Sequence, residues 1–78
     1  MKMPRDVTGD ELLKVLKSYG YVVTRRKGSH MRITTTMHGE HHEVIPAHDP
    51  IKVGTLAGIL RSVAGHHKMT VDDLIKLL

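Results

Sequence analysis

The sequence predicts an α+β fold of two layers: an antiparallel sheet of two to three strands with helices packed on one face. Three observations carry this. Two stretches, "TGDELLKVLKSYG" and "GTLAGILRSVAG", repeat apolar residues at helical spacing. Between them, "HMRITTTMH" alternates apolar and polar residues with period two. Short glycine-containing turns, "KGS" and "GEH", flank that stretch, as hairpins require. The order read from the chain is α-β-β-β-α-α, with no repeat, linker or low-complexity segment.

Each element has its own grounds. Thr8, with Glu11 three residues on, is a capping-box pattern that starts the first helix. Leu12, Leu13, Leu16 and Tyr19 make its apolar stripe, Lys14, Lys17 and Ser18 lie off it, and Gly20 is a natural stop. "YVVTRR", Tyr21 to Arg26, is rich in β-branched and aromatic residues and reads as a strand. In the next strand Met31, Ile33, Thr35 and Met37 share the buried face. His30, Arg32, Thr34, Thr36 and His38 share the wet one. "HEVIPAH" is a third strand that Pro46 ends or places at an edge. "DPIKV" is a loop. Leu56, Ile59, Leu60 and Val63 form the stripe of the second long helix, with Gly65 as its stop. Gly58 inside it costs about 1 kcal/mol against alanine, which points to close packing there. "HHKM" leads to a last helix, "TVDDLIKLL", capped by Thr70 and Asp73 and docked by Val71, Leu74, Ile75 and Leu78.

Seventy-eight residues make one domain, 1–78. With no phenylalanine or tryptophan and with five methionines, the core must be aliphatic. The absence of cysteine excludes disulfides and thiolate metal sites and fits a reducing cytoplasm. No apolar run approaches the roughly 20 residues of a membrane span, and "MKMPRDVTGDE" lacks the apolar stretch of a signal peptide. A net charge of +4 and seven histidines favour an anionic partner.

Gly28-Ser29-His30-Met31 is also what a cleaved purification tag leaves at the start of a chain. Here a capped helix and a strand precede it, so it belongs to the protein. His30 opens the second strand on the wet face, after Arg25, Arg26 and Lys27 and two residues before Arg32. This cluster reads either as a solvated rim that blunts a sheet edge or as a phosphate-binding patch around a titratable imidazole. Tyr19 and Tyr21 are the only aromatics, so RNA would be held by its backbone rather than by stacked bases. A hairpin can bring His38 to His41 or His42, and imidazole is a common zinc or nickel ligand. No spacing there matches a recognised zinc pattern, so the turn, with Glu40 and Glu43, reads as solvated, with no metal and no cofactor. His66 and His67 read as neighbours of a helix C-terminus, where imidazolium suits the dipole.

Taken together, "ELLKVLKSYGYVVTRRKGSH", "EVIPAH", "KVGTLAGILRSVAG" and "MTVDDLIKLL" resemble the HicA (YcfA-like) toxins of bacterial and archaeal toxin–antitoxin systems. The resemblance runs over roughly residues 9 to 78. It implies a fold similar to double-stranded RNA-binding domains, α-β-β-β-α, with a three-stranded sheet and a short C-terminal helix. It also implies a cytoplasmic, ribosome-independent endoribonuclease that cuts mRNA without a metal and inhibits translation. The family's catalytic histidine, that of its Gly-Ser-His motif, falls on His30. Arg25, Arg26, Lys27, Ser29 and Arg32 would hold the RNA phosphates. The implied partner is a HicB-like antitoxin covering the basic face, with the toxin alone a monomer. Met31 stands where many members carry a second histidine or another polar residue, so a two-histidine mechanism within the motif is not available. His48 also falls on the family pattern, and its role stays open. Two other readings stand beside this one: a non-catalytic RNA-binding module of the same fold, and a protein-interaction domain whose basic face meets an acidic partner.

Overall fold

In the computed structural model, which describes residues 2–47 and 49–78, six elements follow one another. They are α1 (Gly9–Lys17), β1 (Val22–Lys27), β2 (His30–Thr35), β3 (His41–Pro46), α2 (Val53–His67) and α3 (Val71–Ile75). The strands make one antiparallel sheet in the order β1-β2-β3. This is the expected α-β-β-β-α arrangement with a short C-terminal helix. No helix among the described residues is long and apolar enough to cross a membrane.

Local chemistry sets the helix starts. The Thr8 hydroxyl accepts the Glu11 N–H at 3.1 Å, and the Glu11 carboxylate accepts the Thr8 N–H at 3.1 Å. Thr70 and Asp73 repeat the same reciprocal pair at the start of α3. Each such cap contributes about 1 kcal/mol by satisfying N–H groups that a helix start leaves free. After α1, Gly20 takes a left-handed φ of 85°, and a Cβ there would lie 2.6 Å from the Thr35 hydroxyl. That hydroxyl donates to the Tyr19 carbonyl and accepts the Met37 N–H. Thr35 is therefore buried but bonded, and it ties the α1–β1 turn to the end of β2.

The core lies between the helices and the inner face of the sheet. Leu12 and Leu16 of α1, Met31 and Ile33 of β2, Ile45 of β3, Leu56, Leu60 and Val63 of α2 and Leu74 of α3 meet in one cluster. Val71, Ile75 and Leu78 pack against its margin, as the sequence predicts for the last helix.

Three expectations are corrected. β2 stops at Thr35 rather than His38, because His38 takes φ 58° and turns the chain. Met37 is consequently 40% exposed instead of facing the core, and His38 is not on the strand. α2 passes Gly65 and ends at His67, and its left-handed cap is Lys68, where the Met69 N–H reaches the Ala64 carbonyl at 3.0 Å. His66 keeps the helix going, because its Nε2 lies 3.0 Å from both the Met37 and Gly39 carbonyls. Gly58 faces open space, with nothing within 4 Å of a Cβ built there, so close packing does not explain it.

Candidate functional site

His30 is the first residue of β2 and is exposed. Gly28 and Ser29 form the two-residue turn before it and bring Lys27 opposite His30. Gly28 has φ 57°, and glycine with positive φ at the first turn position suits the twist of a hairpin. The need for glycine comes from this dihedral alone, since the space around it is open. On its other side His30 pairs with Pro46, at the end of β3. His30 thus sits in the middle of the sheet's width, at the turn end, on the face that carries no helix.

A β-bulge decides which cations join it. Nearer the turn, Lys27 pairs with His30, Arg26 with Met31 and Arg25 with Arg32. Beyond the bulge, Val23 pairs with Ile33 and Val22 with Thr34. Thr24 is the extra residue between the two ladders. Directly paired residues share a sheet face. Unbroken alternation from Val23 would have put Arg25 and Lys27 on the helix side. The bulge resets the alternation and brings both to the outer face beside Arg32 and His30. Thr24 itself is held on that face by Thr34, at 2.9 Å between hydroxyls, and Thr34 in turn by His42 Nδ1 at 2.8 Å.

Two shallow depressions flank the imidazole. One, of about 200 Å³, is lined by Arg25, Lys27, His30, Arg32 and Val44. The other, of about 330 Å³, is lined by His30, Val44, Pro46, Lys52 and Thr55. His30 and Val44 belong to both. The ion pairs among the described residues are His41–Glu43 and His42–Glu40, so no described carboxylate neutralises Arg25, Lys27 or Arg32. The outer face therefore carries free positive charge on one side of His30 and Lys52 on the other. Lys52 and Thr55 do not emerge from reading the sequence as a line, because they lie more than twenty residues from His30. The signal for them is the Lys-x-Gly-Thr-Leu pattern, which starts α2.

Arg26 parts company with the other basic residues. It pairs with Met31 and lines a separate crevice of about 110 Å³ with Asp10 and Asp49, at the start of α1. Its predicted place beside Arg25 and Lys27 in one patch is not what the sheet provides. Ser29 lies exposed in the turn, and its carbonyl accepts the Ala47 N–H. His48 lies outside the described residues.

Of the other histidines, His38 and His42 are exposed, as a solvated turn requires, whereas His41, His66 and His67 are partly covered. His41 is partly buried, with Nδ1 2.7 Å from the Tyr21 hydroxyl and Nε2 2.9 Å from Ser62 Oγ. His38 meets His67 rather than His41 or His42. His66 and His67 lie in the last turn of α2, as the sequence predicts, and burial followed by neighbouring imidazoles lowers the pKa of His67 from the usual histidine value. Among the described residues no group of three histidine or carboxylate side chains is arranged to hold a metal ion.

A family model described as HicA toxin of bacterial toxin-antitoxin matches residues 9–64. No curated protein and no solved structure matches the chain.

Proposed function

The chain belongs to the HicA toxin family of bacterial toxin–antitoxin systems, and from that premise we propose that it is a ribosome-independent endoribonuclease that cuts mRNA with His30 as the proton-transferring residue. The observation that carries this reading is the position of His30, exposed at the junction of two depressions and bordered by unpaired cations. A toxin–antitoxin toxin of this family implies a HicB antitoxin as partner. We take the same basic outer face to be what that antitoxin covers, with the free toxin a monomer in the cytoplasm.

RNA brings its own nucleophile, the 2′-hydroxyl. His30 takes the 2′-hydroxyl proton as that oxygen attacks the phosphorus. A P–O2′ bond forms, the P–O5′ bond breaks, and the departing 5′-oxygen takes a proton from solvent. Such proton transfer is worth about 10² to 10⁴ in rate. Arg25, Lys27 and Arg32 stabilise the charge that builds on the phosphate oxygens. Lys52 holds the chain on the far side of His30. Arg26 is left out of this set because it faces the α1 crevice. Met31 is buried at 6% exposure, so the residue next to His30 supplies no second proton carrier. The chemistry asks for proton transfer and charge stabilisation, both within reach of these side chains, and cleavage is expected to persist in excess EDTA.

The test is His30→Ala. The side chain is exposed, so the variant should fold as the parent does and still bind RNA, while cleavage and growth arrest disappear. A folded His30→Ala protein that cuts RNA at the parental rate refutes the assignment. A parent protein that binds RNA but never cuts it supports instead a binding module of the same fold.

A further inference from the structure

At the opposite end of the sheet from the Gly28 turn, four imidazoles pack against one another and two tyrosines. His41 stacks on His66 with ring centroids 4.5 Å apart and planes 17° apart. His66 meets His67 edge-on at 4.8 Å, and His67 meets His38 at 5.5 Å. Tyr19 and Tyr21 close on His67 at 5.4 and 5.6 Å. These rings come from the end of α1, the start of β1, the β2–β3 turn, the start of β3 and the end of α2. The same group makes the polar ties between those elements. His66 Nε2 reaches the Met37 and Gly39 carbonyls, and His41 bridges Tyr21, just before β1, and Ser62 of α2.

The proton count in this group is tight. The Tyr21 hydroxyl lies 2.7 Å from His41 Nδ1 and 3.2 Å from His67 Nε2. Burial, with Glu43 second, pushes its pKa up to about 12, so it keeps its single proton. It donates to one ring and accepts from the other. His67 Nδ1 is buried with no partner among the described residues. If the hydroxyl donates to His41, then His67 carries its proton on Nε2 and Nδ1 is a bare lone pair. Adding a proton to His67 creates a buried N–H with no acceptor, which costs more than an idle lone pair. Adding one to His41 turns the Tyr21 proton toward His67 and forces the same orphaned N–H. In that arrangement charging either central ring leaves an N–H without an acceptor among the described residues, so the packing disfavours charge on both.

We infer that this cluster is an acid-operated latch: neutral, it clasps the C-terminal end of α2 to the β2–β3 turn and the start of β1, and protonated, it lets that end go. The charged and titratable groups facing it oppose protonation more than they favour it. Glu43 stands 3.6 Å from His41 and favours its charge, while His42, 3.2 Å from Glu40, opposes it. Against charge, too, stand the four packed imidazoles and Lys68, which lines a cleft of about 450 Å³ with His38, His66 and His67. For both His41 and His67 burial is the largest influence, His66 the next, and both are held below the ordinary histidine value. A histidine with a lowered folded-state pKa gives stability that is complete above the unfolded value. That stability is lost as pH falls through the interval below it, because the open chain takes the proton first. The window therefore lies below about pH 6.5. The latch stands independently of the role given to His30.

Amide hydrogen exchange with the whole chain, in EDTA, at about pH 7.5 and about pH 5.5 after correction for intrinsic rates, tests it. Residues 37–41 and 64–68 should lose protection at the lower pH before the amides of Leu16 and Leu60 do. Their opening constant should rise about tenfold per pH unit for each proton taken up. His67→Gln, which cannot titrate, should flatten that dependence. Should His67→Gln misfold, ring-proton titration of the parent protein decides: His41 and His67 should titrate below the unfolded histidine value. Protection that is unchanged between the two pH values overturns the latch. So does protection lost uniformly with the core, or titration of both rings above the unfolded value.

Discussion

The two ends of the sheet use the same side chain in opposite ways. At the Gly28 turn end one histidine is exposed and, among the described residues, has no other imidazole packed against it, with arginines and lysines around it and no described carboxylate paired to them. At the far end four histidines are packed ring against ring, bonded to carbonyls, a tyrosine and a serine. The first arrangement leaves an imidazole open to solvent at the junction of two depressions. The second uses its imidazoles to hold strands to a helix. Histidine content alone therefore says nothing about reactivity, and counting partners at each ring nitrogen separates the two uses.

That contrast can be broken or sharpened by experiment, beginning with the largest effect. His30→Ala should lower the RNA cleavage rate by about 10² to 10⁴ with little change in melting temperature, read from single-turnover kinetics beside a thermal scan. Tyr21→Phe should do the reverse. It removes the one hydroxyl that both His41 and His67 use, and should cost about 1 to 3 kcal/mol in denaturant unfolding while leaving RNA affinity alone. Equal sensitivity of cleavage to both substitutions would erase the division between the ends. Next, Arg32→Ala should flatten the salt dependence of RNA binding by about 0.7 in log–log slope, the loss of one phosphate contact. Lys52→Ala should do likewise, and Arg26→Ala should leave the slope unchanged. An effect of Arg26→Ala as large as that of Arg32→Ala would put the α1 crevice on the RNA path. Smallest, Gly58→Ala should raise stability by about 1 kcal/mol, since the Cβ meets nothing and the helix gains.

What could be read in the chain was what neighbours in sequence decide. The Thr8–Glu11 and Thr70–Asp73 boxes, the Gly20 stop and the Met31-Ile33-Thr35 face all involve residues within a few positions of each other, and all are found. The exposed place of His30 followed from the Gly-Ser turn and the alternation after it. The bulge at Thr24 could not be read there, because it reconciles two distant demands. The turn fixes Lys27 opposite His30, while burial of Tyr21 fixes the other end of the strand. The same holds for Lys52, brought to His30 by the fold of β3 and α2, and for the histidine cluster. His38 and His41 read as part of a solvated turn, and His66 and His67 as helix-end neighbours, because their partners are each other, up to some thirty positions apart. Gly65 misled for a related reason: glycine permits a helix to stop, but tertiary contacts of His66 made it continue.

Thr24 gives β1 one residue more than its partner strand can match, which makes residue count a form of information. Two proteins of equal length, one lacking Thr24 and the other lacking Arg26, should have regular hairpins with different outer faces. Losing Thr24 keeps Arg25 opposite Arg32 and Lys27 opposite His30. Losing Arg26 absorbs the slack elsewhere, moves Arg25 opposite Met31 and turns it inward. Along this strand the spelling of the basic run matters less than where its spare letter is placed.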